Sequence, residues 1–226
     1  MNATRHEDTG RGGVIPLIEA LRPDPRSSAW AWVIVNSRRV ARAPASAVSS
    51  LGIREGIPWT PGLADKIEHA VLIQKARERG VRLLGVRART RVELIRKLVA
   101  GGTPQPIAEA AADSLARDGL LNDADLAADI AGRTGSRASS DAALDATLES
   151  RGVDATTRRR AIKGAMTETD RATEAAKTLA KRLSKDLTIE VKWRRLMSSL
   201  ARRGFDEEVS REAAQRMLGP APEPEG

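Results

Sequence analysis

The sequence contains no cysteine and very few aromatic residues: four tryptophans, one phenylalanine and no tyrosine among 226 residues. Without cysteine, disulfides, cysteine-based zinc sites and thiol catalysis are excluded. The scarcity of rings argues against a β-sandwich core and against an extended platform on which single-stranded bases stack. Alanine supplies much of the apolar content, which favours thin, closely packed helical layers.

Long apolar runs are also missing. The longest, Ala29–Val35, has far too few residues to cross a bilayer. The first thirteen residues are polar and contain no apolar segment of a secretion signal. We therefore expect a soluble cytoplasmic protein that makes no membrane contact. Because no long heptad seam is visible, we expect a monomer.

The residue patterns of catalytic, metal and cofactor sites do not occur. His6 and His69 lack the spacing of a metal-ligand pair, and there is no Gly-Lys-Ser/Thr phosphate loop. Asp123 and Asp125 look like part of a calcium loop, but no glycine and glutamate follow to complete it. Helix capping explains these two residues better. The sequence therefore predicts no enzyme activity, no catalytic residue, no metal site and no cofactor.

Positive charge is concentrated in one part of the chain. The formal net charge is +8, and residues 151–203 alone carry fifteen basic and six acidic side chains. Residues 204–226 carry two basic and six acidic side chains. The basic stretch predicts a polyanionic partner, either nucleic acid phosphates or an acidic protein surface. The alternative is that these side chains only keep a helix face soluble.

The N-terminal part has the pattern of a small β-sheet. Residues 14–21 and 30–36 are apolar and rich in β-branched side chains, with a turn-rich segment at 22–28 between them. Asn36 and Ser37 predict a tight turn into a third strand at 38–42. Since nearly every position of the second strand is apolar, we expect it to be covered on both faces. A ribbon this small must dock on helices.

The rest of the chain has helical periodicity. Thr60 followed by Pro61 predicts the start of a helix. The predicted organisation is a disordered tail, a β extension, a linker helix, three helical repeats and a second disordered tail. The corresponding boundaries are 1–13, 14–59, 60–86, 87–137, 138–187, 188–219 and 220–226.

An internal repeat determines the predicted fold class. Two leucines four residues apart, followed four residues later by glycine, occur three times: Leu94, Leu98 and Gly102; Leu144, Leu148 and Gly152; Leu196, Leu200 and Gly204. The leucines share one helix face, and the glycine ends the helix in a left-handed conformation.

Capping residues complete the units. Asn122 and Thr167 each predict the start of a third helix in the first two copies, while the third copy ends after two helices. We therefore predict a mainly α fold in which tandem three-helix repeats form an elongated, solenoid-like rod with a small N-terminal β extension.

Three segments of the helical part form a recognisable series: Arg87–Leu94 with Lys97, Leu98 and Gly102; Asp118–Asp123 with Ala127; and Leu200–Phe205. In their order and spacing they resemble the RecX family. The resemblance covers 67–218 well and 14–66 more weakly, and the tandem three-helix repeat is also that family's architecture. Two features depart from the family pattern: Leu126 replaces the usual aromatic residue, and Ala138–Asp141 replaces a basic, glycine-containing stretch.

The resemblance implies a non-enzymatic regulator of the bacterial RecA recombinase. Such a protein binds the RecA–DNA filament and inhibits its ATPase, strand-exchange and co-protease activities. It thereby modulates homologous recombination, DNA repair and the SOS response. Contact with single-stranded or duplex DNA itself is expected to be weak or indirect. The alternative is a direct DNA-binding protein that acts through its basic helical repeats.

Basic residues near the ends of the repeats are the candidates for partner binding. Consecutive side chains on a helix lie about 100° apart, so Arg158, Arg159 and Arg160 cannot all face one partner. Trp193 and the repeated leucines are expected in the core. The predicted contacts to filament or DNA are Arg87, Arg89, Arg91, Arg158, Arg159, Lys192, Arg195, Arg202 and Arg203.

Overall fold

The computed structural model describes residues 15–133 and 137–222. The tail predicted over 1–13, and the last four residues of the tail predicted over 220–226, lie outside these residues. The described elements are, in chain order, β1 Ile18–Asp24, β2 Ser27–Val35, β3 Arg38–Pro44, α1 Ala45–Ser50, α2 Pro61–Val86, α3 Arg91–Ala100, α4 Gln105–Arg117, α5 Asp123–Ala131, α6 Asp141–Ser150, α7 Ala155–Gly164, α8 Glu168–Ala180, α9 Ile189–Ala201 and α10 Glu207–Leu218.

The described residues divide into two compact units. The first runs up to Arg79 and includes Pro106–Ala111, and the second contains the remainder. The fold is mainly helical with a small antiparallel sheet, as the sequence predicts. In the described part of the chain, no helix is long and apolar enough to span a bilayer.

The three strands form an antiparallel sheet in the order β1-β2-β3. Asn36 and Ser37 both have positive φ, 49° and 60°, which confirms the tight turn predicted between β2 and β3. The turn expected over 22–28 is wrong in extent, because only Pro25 and Arg26 lie outside the strands. The Asp24 carboxylate accepts a hydrogen bond from the Arg26 backbone N–H (3.0 Å), so a two-residue turn is enough.

One face of the sheet packs on α2. Ile18, Val33 and Val35 are buried in a cluster with Ile67 of α2, which confirms that the ribbon docks on a helix. The expectation that β2 is covered on both faces is right for Trp30, which is 4% exposed on the other face and donates a 3.1 Å hydrogen bond to Glu78 of α2. It is only partly right for Trp32 on the same face, which is half-buried and has the Arg39 guanidinium over its ring.

The helical repeat is confirmed in its details. The repeated leucines are all buried, at 5% exposure or less. Gly102, Gly152 and Gly204 have φ values of +88°, +81° and +84°, the left-handed region that favours glycine at the end of a helix. Asn122 caps α5, and Thr167 caps α8. Module one is therefore α3–α5, module two is α6–α8, and module three is α9–α10.

Module two contains a buried arginine that the sequence reading did not single out. Arg171, four residues after the cap of α8, occupies the place that Leu126 has in α5. Its side chain is 1% exposed and pairs with Asp141 at the start of α6. It also donates to the Ser139 carbonyl (3.0 Å) and to the Met166 carbonyl. Arg171 therefore links the start of α6 to the start of α8, because Ser139 and Asp141 lie at the first and Met166 lies just before the second.

We expect Arg171→Ala to destabilise the protein by about 3 kcal/mol, because the change leaves a cavity and unpaired polar groups where a buried ion pair was. Arg211→Ala is the matched control. Arg211 is also ion-paired, with Glu207, but its side chain is 60% exposed, so its loss should cost no more than about 0.5 kcal/mol. Urea unfolding measures both values. Equal effects of the two variants would contradict the structural role of Arg171.

Candidate functional site

The first helix of module one contacts the end of the first helix of module two. Thr90 caps α3, and its hydroxyl donates a 2.6 Å hydrogen bond to the Arg151 carbonyl at the end of α6. The Arg151 guanidinium binds the Glu93 carboxylate through two N–H groups, at 3.0 and 2.9 Å. Glu93 also accepts from the Thr90 backbone N–H and so completes a capping box. We call this contact the first joint.

Electrostatics favour the ionised form of Glu93 at this joint. Hydrogen bonds from Arg151 lower the pKa of Glu93 below its usual value, although burial acts in the opposite direction. The same pair raises the pKa of Arg151. Gly152 completes the contact, because a side chain there would place its Cβ 2.7 Å from the Cβ of Val92.

The same arrangement recurs between modules two and three. Ser140 caps α6, and its backbone N–H donates a 3.1 Å hydrogen bond to the Arg203 carbonyl at the end of α9. A Cβ at Gly204 would lie 2.6 Å from the Ser140 hydroxyl oxygen, so a side chain is excluded there by Ser140 as it is excluded at Gly152 by Val92. In this second joint, however, Ala143 stands where the first joint has Glu93. The arginine of the second joint therefore has no acidic residue at the equivalent position.

Arginines gather at the end of α9. The Arg202 guanidinium donates to the Ser199 hydroxyl (3.0 Å), and the Arg203 guanidinium donates to the Ser199 carbonyl. Burial, together with the positive charges of Arg202 and Arg182, lowers the pKa of Arg203. These groups therefore lie close enough to repel one another, and an anion placed beside them would relieve that repulsion.

The remaining candidates of module three lie on the same helix. Arg195 is exposed, and it shares a helix face with Ser199 and Arg202. The Lys192 ammonium donates to the Lys185 carbonyl (3.1 Å) in the segment before α9. We call this set of cations the α9 cationic surface, which comprises Arg182, Lys185, Lys192, Arg195, Arg202 and Arg203.

The structure places the module-one candidates in different environments. Arg87 is exposed and lies 4.0 Å from the Glu93 carboxylate. Arg89 is buried, and its Nε–H donates to the Leu83 carbonyl at 3.3 Å. Arg91 binds Asp113 at 2.7 Å. Arg87 thus has a carboxylate partner in α3, Arg89 a carbonyl partner in α2 and Arg91 a carboxylate partner in α4, and none of the three belongs to the α9 cationic surface.

The two module-two candidates also differ from each other. Arg158 has a side chain only 14% exposed and binds both Asp145 and Glu149 of α6, which fixes α7 against α6. Arg159 is exposed and forms no ion pair within the described residues. Arg158 thus has structural partners, and Arg159 is the residue of this pair that faces solvent.

Sequence reasoning missed Thr90, Glu93, Ser140 and Arg151. A signal was present: Thr90 and Ser140 are 50 residues apart, as are the leucines of their modules, and each precedes a repeated helix. The three-dimensional contact was not deducible, because it joins positions 61 residues apart. In the described ranges, no cluster of three His, Cys, Asp or Glu side chains could hold a metal ion.

The chain is similar to known regulatory proteins in sequence. The family model described as "RecX, first three-helix domain" matches residues 76–115, from the second half of α2 into α4. The regulatory protein RecX of Mycobacterium ulcerans (strain Agy99) is 36% identical over 140 residues, which are 61% of this chain and 81% of that protein. The RecX of Mycobacterium avium (strain 104) is 35% identical over the same shares.

Two solved structures have a similar fold. The crystal structure of a regulatory protein RecX superposes with a TM-score of 0.68 and 17% identity, and the match covers 90% of this chain and 98% of that one. The structure of RecX from Lactobacillus salivarius gives a TM-score of 0.52 and 21% identity, over 66% and 97% of the two chains. At these identities the likeness concerns the fold alone.

Replacing the joint glycine should cost more than replacing its counterpart in module one. Gly152→Ala introduces a positive-φ strain of about 1–2 kcal/mol and a clash with Val92, and overpacking adds about 1–3 kcal/mol. Gly102→Ala is the control, because its φ is also positive but no atom lies within 4 Å of the new Cβ. The free energy of unfolding in urea, compared between the two variants, separates the positive-φ strain from the clash with Val92. Equal losses in both variants would show that close approach at the joint is unimportant.

Acid should weaken the first joint. Because the pKa of Glu93 is lowered on folding, its contribution to stability is present above the unfolded pKa and is lost as the pH falls through the folded pKa. We expect Glu93→Gln to destabilise the protein at neutral pH, and its difference from the parent to shrink below about pH 4.5. Unfolding curves across this range measure the effect. Glu212→Gln, on α10, controls for the loss of a carboxylate, and a pH-independent difference for Glu93→Gln would contradict the assignment.

Proposed function

The chain belongs to the RecX family, and on this premise we propose that it binds the filament that the RecA recombinase forms on DNA and inhibits the filament's ATPase, strand-exchange and co-protease activities. Proteins of this family are regulatory and non-enzymatic. In the cytoplasm, such inhibition would modulate homologous recombination and the SOS response. The observation that carries the proposal is the likeness to regulatory RecX proteins over 140 residues.

The α9 cationic surface is our candidate for the filament contact. The first joint neutralises Arg151 with a carboxylate, and Arg158 and Arg171 have carboxylate partners of their own. At the end of α9, by contrast, positive charges lie beside one another. A nucleoprotein filament presents phosphates and acidic side chains, and either would lower this repulsion.

The first test measures the ATPase of preformed cognate RecA filaments while this protein is added. We expect the rate to fall. Loss of activity far below one molecule per RecA would indicate that filament ends are capped, and loss only near equal amounts would indicate coating of the filament groove. An unchanged rate at severalfold molar excess would contradict the proposal.

A charge-removing variant tests the proposed surface. Arg195→Gln with Arg202→Gln should raise the concentration needed for half-inhibition about fivefold or more, because two contacts to anions are lost. Arg211→Gln with Arg216→Gln is the matched control. It removes the same charge from module three, but both arginines are ion-paired within α10. Similar losses in the two variants would show that net charge, and not this surface, determines inhibition.

Direct DNA binding through the basic repeats is the second candidate function. It is favoured by the charge of residues 151–203, with fifteen basic and six acidic side chains. If it is correct, the chain binds bare DNA tightly without recombinase, and the affinity falls steeply with salt. Binding weaker than tens of micromolar at moderate salt would reject this candidate.

A further inference from the structure

The outer face of the N-terminal sheet combines arginines with a tryptophan. Leu21, Val33 and Ala41 are cross-strand partners on the face that packs into the core. The neighbouring row, one residue further along, therefore points to the other face. In that row Arg22 of β1 and Arg42 of β3 flank Trp32 of β2.

The next row extends this face. Ile34 of β2 pairs with Arg39 of β3, and Ile34 is half-buried while Arg39 is exposed. Arg38, at the start of β3, pairs with the buried Val35 and so belongs to the other row. We call the set Arg22, Trp32, Ile34, Arg39 and Arg42 the outer sheet face.

Guanidinium groups rest on the tryptophan rings at this face. The Cζ atom of Arg39 lies 5.1 Å from the centre of the Trp32 ring, and that of Arg42 lies 4.4 Å from the centre of the Trp30 ring. Stacking on a ring restricts a long side chain before any ligand arrives, so less freedom is lost on binding. A planar guanidinium can also stack with a nucleobase and donate to a phosphate.

The acidic side chains of the sheet are already engaged. Asp24 binds the Arg42 guanidinium at 2.6 Å, and its side chain is only 5% exposed. Glu19 accepts a 2.8 Å hydrogen bond from the Ser37 backbone N–H. Asp24 thus balances the charge of Arg42, whereas within the described part of the chain Arg22 and Arg39 form no ion pair. The outer sheet face therefore keeps the positive charges of Arg22 and Arg39.

We propose that the outer sheet face binds single-stranded nucleic acid. Phosphates of the strand bind Arg22 and Arg39, and a base stacks on the layer formed by Arg39 and Trp32. A single-stranded ligand fits better than a duplex, because paired bases are stacked on one another and do not offer a free face. The small number of aromatic residues excludes a long stacking track, but one ring with stacked guanidinium groups is enough for one or two bases.

Binding is measured with the full chain and a fluorescently labelled thymidine oligonucleotide of about twenty residues, without recombinase. The result is therefore independent of the filament proposal. Trp32→Leu should weaken binding about tenfold, the loss expected for one stacked base. Quenching of tryptophan fluorescence by the oligonucleotide should also be much reduced in this variant.

A second variant tests the phosphate contacts. Arg22→Gln with Arg39→Gln should weaken binding and reduce the slope of log affinity against log salt by about 1.4, since each phosphate contact to a single strand contributes about 0.7. Arg54→Gln with Lys66→Gln is the matched control, because both residues are exposed in the same unit and lie outside the sheet. The control should retain most of the parent slope.

Four results would overturn the proposal. One is an equal loss of affinity in Arg22→Gln with Arg39→Gln and in its control, Arg54→Gln with Lys66→Gln. Another is unchanged binding by Trp32→Leu while Arg195→Gln with Arg202→Gln abolishes it. In the third, an acidic peptide binds as tightly as the oligonucleotide and quenches tryptophan fluorescence equally. In the fourth, the chain does not bind the oligonucleotide and instead associates with itself through Trp32. Circular dichroism shows whether each variant is folded. If Trp32→Leu does not fold, the comparison of Arg22→Gln with Arg39→Gln against its control decides the proposal.

Discussion

The hydrogen bond across each module joint is the contact on which the helical part depends. A capping residue at the start of one module's first helix meets the carbonyl just before the left-handed glycine of the next module. Glycine is required there twice, because φ is positive and because Val92 or Ser140 occupies the space of a side chain. Both requirements hold at Gly152 and Gly204, whereas at Gly102 only the positive φ favours glycine, because no atom lies within 4 Å of a Cβ there.

Local patterns predicted the elements that depend on neighbours in sequence. The leucine spacing identified the buried helix faces, and Asn122 and Thr167 were correctly identified as caps, because both features act within one or two turns. Contacts between distant residues were not predictable in this way. Nothing in the spacing says that Thr90 meets Arg151, or that Arg171 takes the place of an apolar residue. The extent of β1 was missed for the same reason, because pairing with β2 determines it.

The basic residues selected from the sequence lie in different environments. Nine basic residues were selected from the sequence, yet Arg89 is buried and Arg158 is held by two carboxylates. The joints show how the same repeat position acquires different electrostatics. Arg151 faces Glu93, but its counterpart Arg203 has Ala143 at that position and two further arginines nearby. The two joints therefore differ in whether an acidic residue stands at this repeat position.

What an arginine touches decides what it can do. Where its partner is a carboxylate, as for Arg151 and Arg171, the charge is neutralised and the side chain stabilises the fold. Where its partner is a ring or a serine, as for Arg39 and Arg202, the contact holds the guanidinium in place without cancelling its charge. An arginine held by a ring or a serine still attracts anions, and its side chain loses little conformational freedom when an anion binds. Among the described residues, arginines held in this way occur both in the sheet, at Arg39, and at the end of α9, at Arg202.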